Sequence, residues 1–307
     1  MRQPKLIVIL GPTASGKTNL AVQLAHKIDG EIISVDSRQV YRGMDIGTGK
    51  DLNEYCVENQ QIPYHLIDIV NAGESYNLFQ FQIDFHKALD DILSRNKTPI
   101  LCGGSGLYLE AVLKGHQFTA IPNNETLREK LESYEVLDLL KLYKSFDTDF
   151  QKVADVSSQK RLIRAIEISE YLTENKDFKL PNFPELPPTI IYGLNPEIEL
   201  RRQKISNRLK ERFENRMIDE VKKLLENNIP AEKLVFYGLE YKYITEYLLG
   251  DYDFETMFSK LEIAIHQFAK RQMTFFRKME KDGLKINWID KTHPLNKFFA
   301  EVADFLC

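Results

Sequence analysis

Residues 11–18 read GPTASGKT: a glycine, four residues, then Gly-Lys-Thr. In that pattern Gly11 and Gly16 permit turns with unusual dihedrals, and the loop amides and the start of a following helix point at an anion. Lys17 adds a mobile positive charge, and the Thr18 hydroxyl can ligate Mg²⁺. The chemistry implied is capture of a phosphate or diphosphate. A chance glycine-rich turn is the bland alternative, but the segment follows an apolar run and opens a helical pattern, as the mechanism requires. Kinases and ATPases usually add an acidic residue at the end of a later apolar strand. Here the run ending at Cys102 continues into Gly103-Gly104-Ser105, and Asp68, closing HLID, is a substitute for that acid or a cap or turn residue. Nucleotide hydrolysis therefore does not follow from the loop.

The second candidate is Asp36, at the end of the apolar segment 31–35, where open α/β sheets place their chemistry. A carboxylate there can act as a general base, or it can cap a helix or close a turn. Ser37, Arg38 and Gln39 supply donors able to read phosphate or a base edge, and Asp45, Gly47, Thr48 and Gly49 make a further polar turn.

These residues need a scaffold, and the periodicity supplies one. Residues 6–10 suit a buried parallel strand. Leu20, Ala21, Leu24, Ala25 and Ile28 recur at helical spacing until Asp29-Gly30, and the strand 31–35 completes a βαβ unit. Residues 64–70 read as another strand, 78–94 as a helix with Phe81, Phe85, Leu89 and Ile92 inward, 99–102 as a strand, and 189–194 as a strand returning to the sheet. Between about Lys114 and Pro188 there are helices and no good strand, closed by the linker PNFPELPP. The organisation expected is an α/β core, 1–115 and 189–307, built on a parallel sheet flanked by helices as in P-loop NTPases, with an inserted mostly helical lobe at 116–188. Beyond Pro196 two long amphipathic helices are expected. The first carries the apolar row Ile205, Leu209, Phe213, Met217 and Val221 beside a basic stripe of Arg201, Lys204, Arg208 and Arg212. In the second, Leu261, Ile265, Phe268, Phe275 and Met279 share a face opposite Lys270, Arg277 and Lys281, with Phe268 and Phe275 read as core. A basic stripe is as readily a solvated helix face as an RNA surface.

Across 307 residues the formal charge is −4, so any nucleic-acid contact must come from local stripes rather than an overall positive coat. Cys56, Cys102 and Cys307 lack the spacing of a zinc site or disulfide framework, which points to a reduced, cytosolic setting. The apolar run near the N-terminus is too short for a signal peptide or spanning helix, and no other run approaches membrane length.

Taken in order, GPTASGKT, SVDSRQVYRGMDIGT, HLIDI at 65–69, GGSGLYL at 103–109, RLIRAIEI at 161–168 and AKRQMTFFRK at 269–278 resemble the bacterial tRNA dimethylallyltransferases, or tRNA isopentenyltransferases. The similarity spans nearly the whole chain. It implies attack by the exocyclic amine of the adenosine 3′ of the tRNA anticodon on dimethylallyl diphosphate, with diphosphate leaving. It also implies that Gly11, Pro12, Thr13, Ala14, Ser15, Gly16, Lys17 and Thr18 hold the diphosphate, that Lys17 neutralises it, that Thr18 assists Mg²⁺, and that Asp36 is the base. Asp36, Ser37, Arg38, Gln39, Ser105, Arg128, Gln159, Lys160, Arg161, Leu162, Ile163 and Arg164 are implied to contact the tRNA. The partners implied are tRNA, through its anticodon loop, and dimethylallyl diphosphate; no protein partner is implied, and a cytoplasmic monomer is expected. Departures include Ser105 for Thr, Phe275 for Trp, Arg216 for Gly and an altered turn at 155–158, and YGLEYKYI at 237–244 receives no role. The competing readings are a small-molecule or nucleotide kinase, a non-catalytic RNA-binding module, and a relative that prenylates free AMP.

Overall fold

In the strand β1 (Leu6–Leu10) every residue is buried. Leu6, Val8 and Leu10 enter one core and Ile7 and Ile9 another, because successive strand side chains point to opposite faces. A strand buried on both faces needs neighbours on each side and helices above and below. The computed structural model, which describes residues 3–290 and 294–307, supplies both. The strands are β2 (Gly30–Val35), β3 (Tyr41–Arg42), β4 (Cys56–Val57), β5 (Gln60–Gln61), β6 (Tyr64–His65), β7 (Val70–Asn71), β8 (Thr98–Gly103), β9 (Thr189–Leu194) and β10 (Asn287–Ile289). Six of them form a wholly parallel sheet in the order β10-β9-β1-β8-β2-β6. The remaining four make two isolated two-stranded pairs.

Helices α1 (Lys17–Ile28) and α12 (Leu295–Leu306) cover one face, with Leu20, Leu24, Phe298 and Val302 in the shared core. The other face is covered by α2 (Leu78–Ser94), α3 (Gly106–Lys114) and α11 (Phe254–Lys281) through Phe81, Phe85, Leu109, Met273 and Phe276. Fully burying a side chain of this kind contributes roughly 1.5–3 kcal/mol. A third core joins α7 (Ile198–Glu214), α8 (Met217–Glu226), α9 (Ala231–Phe236) and α10 (Leu239–Leu248) to α11 and to Val40, Tyr41 and Met44. All of this is one unit, running to Lys114 and resuming at Glu185; the other unit is Gly115–Pro184. That second unit holds α4 (Glu125–Glu132), α5 (Val136–Lys144) and α6 (Gln159–Glu174) around its own core of Leu131, Leu139, Tyr143, Leu162 and Ile166.

Three sequence expectations are corrected. Residues 64–70 are not one strand: Leu66 and Asp68 adopt φ of 63° and 56°, so only Tyr64 and His65 join the large sheet, and Val70 restarts against Tyr41. The apolar row 205–221 spans two helices, because Arg216 sits at φ 68° and ends α7 where the sequence pattern runs on. Phe268 is 40 % exposed, and Gln272, not Phe268, shares the buried face of α11 with Leu261, Ile265, Ala269, Met273, Phe276 and Met279.

Candidate active site

The turn from β1 into α1 has a backbone that could cradle an anion. Ala14 and Gly16 both take positive φ, 58° and 86°, which turns successive amides toward the inside of the loop. Gly16 is the N-cap residue of α1 and offers no side chain to its first amides, whereas α2, α4, α6 and α11 are closed by Asn77, Asn124, Ser158 and Asp253. The start of α1 thus keeps orphan donors and the positive end of the helix dipole for an anion. Ser15 Oγ is buried with no partner inside the same loop. A diphosphate matches these donors.

Lys17 lies 3.5 Å from the Pro12 carbonyl through Nζ, a contact at the limit of hydrogen bonding. Burial lowers its pKa, opposed by Cys102 and Asp36, so the ammonium here lacks a full counter-charge. Burial also pushes the Cys102 thiol up to about 12, which leaves Asp36 and, more weakly, Glu54 as the carboxylates acting on Lys17 against the charge of Arg208. Thr18 is on the first turn of α1, where a hydroxyl is a hard-oxygen donor. Among the described residues no group of three His, Cys, Asp or Glu side chains could enclose a metal. A magnesium ion at Thr18 would fit as one protein oxygen plus diphosphate oxygens and water. Asp68 does not serve it: the buried Lys50 ammonium donates to Asp68, Asp45 and the Tyr41 carbonyl, so Asp68 belongs to a structural ion pair. This corrects its reading as a candidate magnesium acid.

Asp36 follows β2. Its Oδ1 accepts from the Arg38 amide at 2.9 Å, the turn geometry open to any Asp two residues before a free amide. Its second oxygen has no protein partner among the described residues. Ser105 braces the segment on both sides of Asp36: its amide donates to the Val35 carbonyl at 3.3 Å and its Oγ accepts from the Ser37 amide at 3.2 Å. Gln39 is tied to Ser34 Oγ and to the Gly49 carbonyl. The Arg38 guanidinium lies 5.0 Å over the ring of Phe236, which is 69 % exposed.

The polar turn 45–51 is held from outside. Glu220 accepts the amides of Asp45, Ile46 and Gly47 at 2.7–3.0 Å and the Tyr241 hydroxyl at 2.7 Å. Arg212 reaches the Gly47 carbonyl and Glu240, and Arg208 reaches the Gly49 carbonyl and Asp51. The basic stripe of α7 therefore splits: Arg208 and Arg212 turn inward, Lys204 stays exposed, and Arg201 lines a cavity of about 870 Å³ with Ser15, Arg202, His266, Lys270 and Arg277. Burial and then the charges of Arg202 and Arg277 lower the Arg201 pKa, although Glu197 and Asp290 line the same cavity.

Gln272 is the residue that pattern reasoning missed. Its Oε1 accepts from the Thr13 amide at 2.8 Å and its Nε2 donates to the Gly104 carbonyl at 2.9 Å. Leaving such a buried amide without partners costs about 1–3 kcal/mol, so both bonds hold the side chain in place. A polar residue in register with seven-residue apolar repeats was the available signal.

The second unit gathers its sequence candidates differently. Leu162 and Ile163 are 1 % and 5 % exposed in its core, so their side chains are not RNA contacts, a correction forced by the inward face of α6. Arg128 and Arg164 both bind the buried Glu167, and they also bond Asn123 and the carbonyls of Ile121 and Pro122. Burial would raise the Glu167 carboxyl, but the Asn124 amide and the two guanidinium groups outweigh it and hold its pKa below the ordinary value. Both arginines are braces first. Gln159 and Arg161 are exposed with local bonds, to the carbonyls of Glu132 and Tyr134 and to Asp155 and Ser157, and Lys160 is exposed without a carboxylate partner among the described residues.

Known proteins resemble this chain over most or all of its length. A family model described as IPP transferase matches residues 39–279. The chain is 52 % identical over 306 residues to tRNA dimethylallyltransferase 2 of Phocaeicola vulgatus, covering 100 % of this chain and 99 % of the relative. It is 53 % identical over 292 residues to tRNA dimethylallyltransferase 2 of Porphyromonas gingivalis, covering 95 % and 96 %. Among solved structures, the tRNA isopentenylpyrophosphate transferase of Bacillus halodurans aligns with a TM-score of 0.69 at 34 % identity, over 99 % of this chain and 96 % of that one. A eukaryotic dimethylallyltransferase acting on tRNA aligns at 0.77 and 26 % identity, over 99 % and 79 %. With a family model spanning most of its length and relatives near half-identical from end to end, this chain belongs to the IPP transferase family.

Proposed function

We propose that this protein transfers a dimethylallyl group from dimethylallyl diphosphate to the exocyclic amine of the adenosine 3′ of the tRNA anticodon, releasing diphosphate. The observation that carries the reading is the pairing of an uncapped anion loop with an Asp36 carboxylate oxygen that has no protein partner, close enough for its charge to act on Lys17.

In this reading the loop amides, Ser15 Oγ and Lys17 take the diphosphate and stabilise the charge that grows on it as the allylic carbon–oxygen bond breaks. The amine nitrogen forms the new bond to that carbon, and its proton passes to the second oxygen of Asp36 while Oδ1 stays with the Arg38 amide. Magnesium at Thr18 would supply further neutralisation of the leaving group. The adenine must leave its stack to reach Asp36, which costs a few kcal/mol and is offset by contacts to the extruded base. Ser37, Arg38, Gln39 and Ser105 are placed in this reading as its neighbours. Gln159, Lys160 and Arg161 provide further tRNA contacts in this reading, with Arg128 and Arg164 bracing the unit that carries them. The reading also carries a monomer acting in the cytoplasm, where unmodified tRNA is found; no helix among the described residues is long and apolar enough to cross a membrane.

The test is incubation with labelled dimethylallyl diphosphate, Mg²⁺ and unmodified tRNA bearing adenosine 3′ of the anticodon, followed by digestion to nucleosides. Prenylated adenosine in the digest supports the reading. Label recovered only on free AMP, or ATP-dependent phosphorylation of a small acceptor without tRNA, overturns it.

A further inference from the structure

We infer that Gln272 is a positioning residue that fixes the separation between the diphosphate cradle and Asp36; the inference rests on the functional reading above. Gln272 is 8 % exposed and joins the two loops just beyond the last β1–β8 pair, Leu10 with Gly103. One side holds the Thr13 amide of the cradle, and the other holds the Gly104 carbonyl. From Gly104 the connection is short. Ser105 bonds Val35 and Ser37, the residues immediately before and after Asp36. Beyond the last strand pairs, Leu10 and Val35 with Gly103, a side chain on α11 therefore ties the leaving-group loop to the base loop.

The fit on the Gly104 side leaves no slack. A Cβ at Gly104 would stand 2.5 Å from Gln272 Nε2 and 3.0 Å from the Gly11 carbonyl, so the absence of a side chain there is what lets the amide reach. The chemistry also requires an amide rather than a carboxylate or a thioether. Thr13 N–H needs an acceptor and Gly104 C=O needs a donor, and of the uncharged side chains of this length only the glutamine amide offers both. A displacement near 1 Å between reacting groups costs on the order of 10²-fold in rate, so loosening this strut acts on turnover more than on substrate affinity.

The experiment compares wild type with Gln272→Glu, Gln272→Met, Gly104→Ala and the double variant Gly104→Ala with Gln272→Ala. Gln272→Met keeps the length and removes both bonds; kcat is expected to fall about 10- to 100-fold while KM for donor and tRNA changes less than about threefold. Gln272→Glu keeps the Thr13 bond but sets a carboxylate against the Gly104 carbonyl. Its kcat should recover as the pH falls and the new carboxyl becomes protonated and able to donate, a limb absent from the wild-type profile. The double variant should exceed Gly104→Ala alone, because removing Gln272 relieves the clash. Hydrogen exchange at the Thr13 and Ser37 amides gives a readout independent of turnover. Both should quicken in Gln272→Met, although Gln272 touches only the first. Protection lost at Thr13 alone, a Gln272→Glu profile superimposable on wild type, or kcat falling only in proportion to the folded fraction would overturn the assignment. Wild-type protein that makes no prenylated adenosine would sink the functional reading instead, and the paired exchange of Thr13 and Ser37 would still decide the strut.

Discussion

The β1–α1 loop and the start of α6 are both rich in polar groups, and they treat those groups in opposite ways. At the loop, Ser15 Oγ has no partner, α1 has no capping side chain, and desolvation of the half-buried Lys17 lowers its pKa. Around α6, Ser158 caps the helix, and Arg128 and Arg164 are both bound to a Glu167 that is 2 % exposed. Desolvating a polar group without a partner is unfavourable, and although single cases occur elsewhere, as at Ser169 Oγ on α6, a group of unmet donors at one loop is what a ligand would complete. The satisfied cluster holds structure; the unsatisfied one, in the proposed reading, takes the diphosphate. Charge alone does not separate the two.

The largest expected effect strikes the unsatisfied region. Asp36→Asn keeps the acceptor for the Arg38 amide and removes the proton acceptor, so kcat should fall about 10²- to 10⁴-fold in single-turnover assays while tRNA affinity stays within a few fold. Unaltered single-turnover rates would dissolve the comparison at its strongest point. Next, Lys17→Ala should weaken donor binding about tenfold or more by calorimetric titration, with no loss in melting temperature, because a buried charge with little compensation is removed. Lys17 also gives the contrast a pH signature. Its lowered pKa means that the ammonium is lost before the pH reaches the ordinary lysine value, so donor affinity should fall as the pH rises through that lowered pKa; Lys17→Arg should flatten the fall.

In the satisfied region the effect moves to stability. Glu167→Ala strands two guanidinium groups, each about a quarter exposed, and should cost about 2–3 kcal/mol in denaturant unfolding of the helical unit. Donor affinity should not change; a weaker donor titration would mean the two regions are energetically coupled. The smallest effect is expected at Lys160. Its replacement by Ala should lower the slope of log affinity for tRNA against log salt by about 0.7–0.9 without a change in melting temperature. Arg164→Ala should do the reverse, losing stability with little change of slope, and equal slopes for the two variants would erase the distinction between brace and contact.

Much of the molecule is legible from local pattern. The helix 78–94 and the strand 189–194 occur with the bounds that periodicity predicts, since a single buried face or a doubly buried strand leaves a repeat of fixed length in the chain. GPTASGKT reads as an anion cradle for the same reason: its function resides in backbone dihedrals that short-range sequence controls. Elsewhere the pattern misleads. Leu66 and Asp68 break a run that hydropathy would make continuous, and Arg216 adopts a left-handed turn that its residue type does not announce. The apolar stripe of α11 admits a glutamine and releases a phenylalanine, because Thr13 and Gly104 approach the helix at that one place.

The chain's own order of residues settled the βαβ start, the helical insert and the family and suggested the phosphate loop, all of which depend on neighbours a few positions apart. Which charges are braces and which remain available was decided only by packing. Arg128, Arg164, Arg208, Arg212 and Asp68 look like free charged groups in sequence, and each meets its partner across 18 residues or more, or, for Arg164 and Glu167, on a helix face buried by the rest of its unit. Partnership at such range depends on where the backbone returns in space, and no local repeat carries that information.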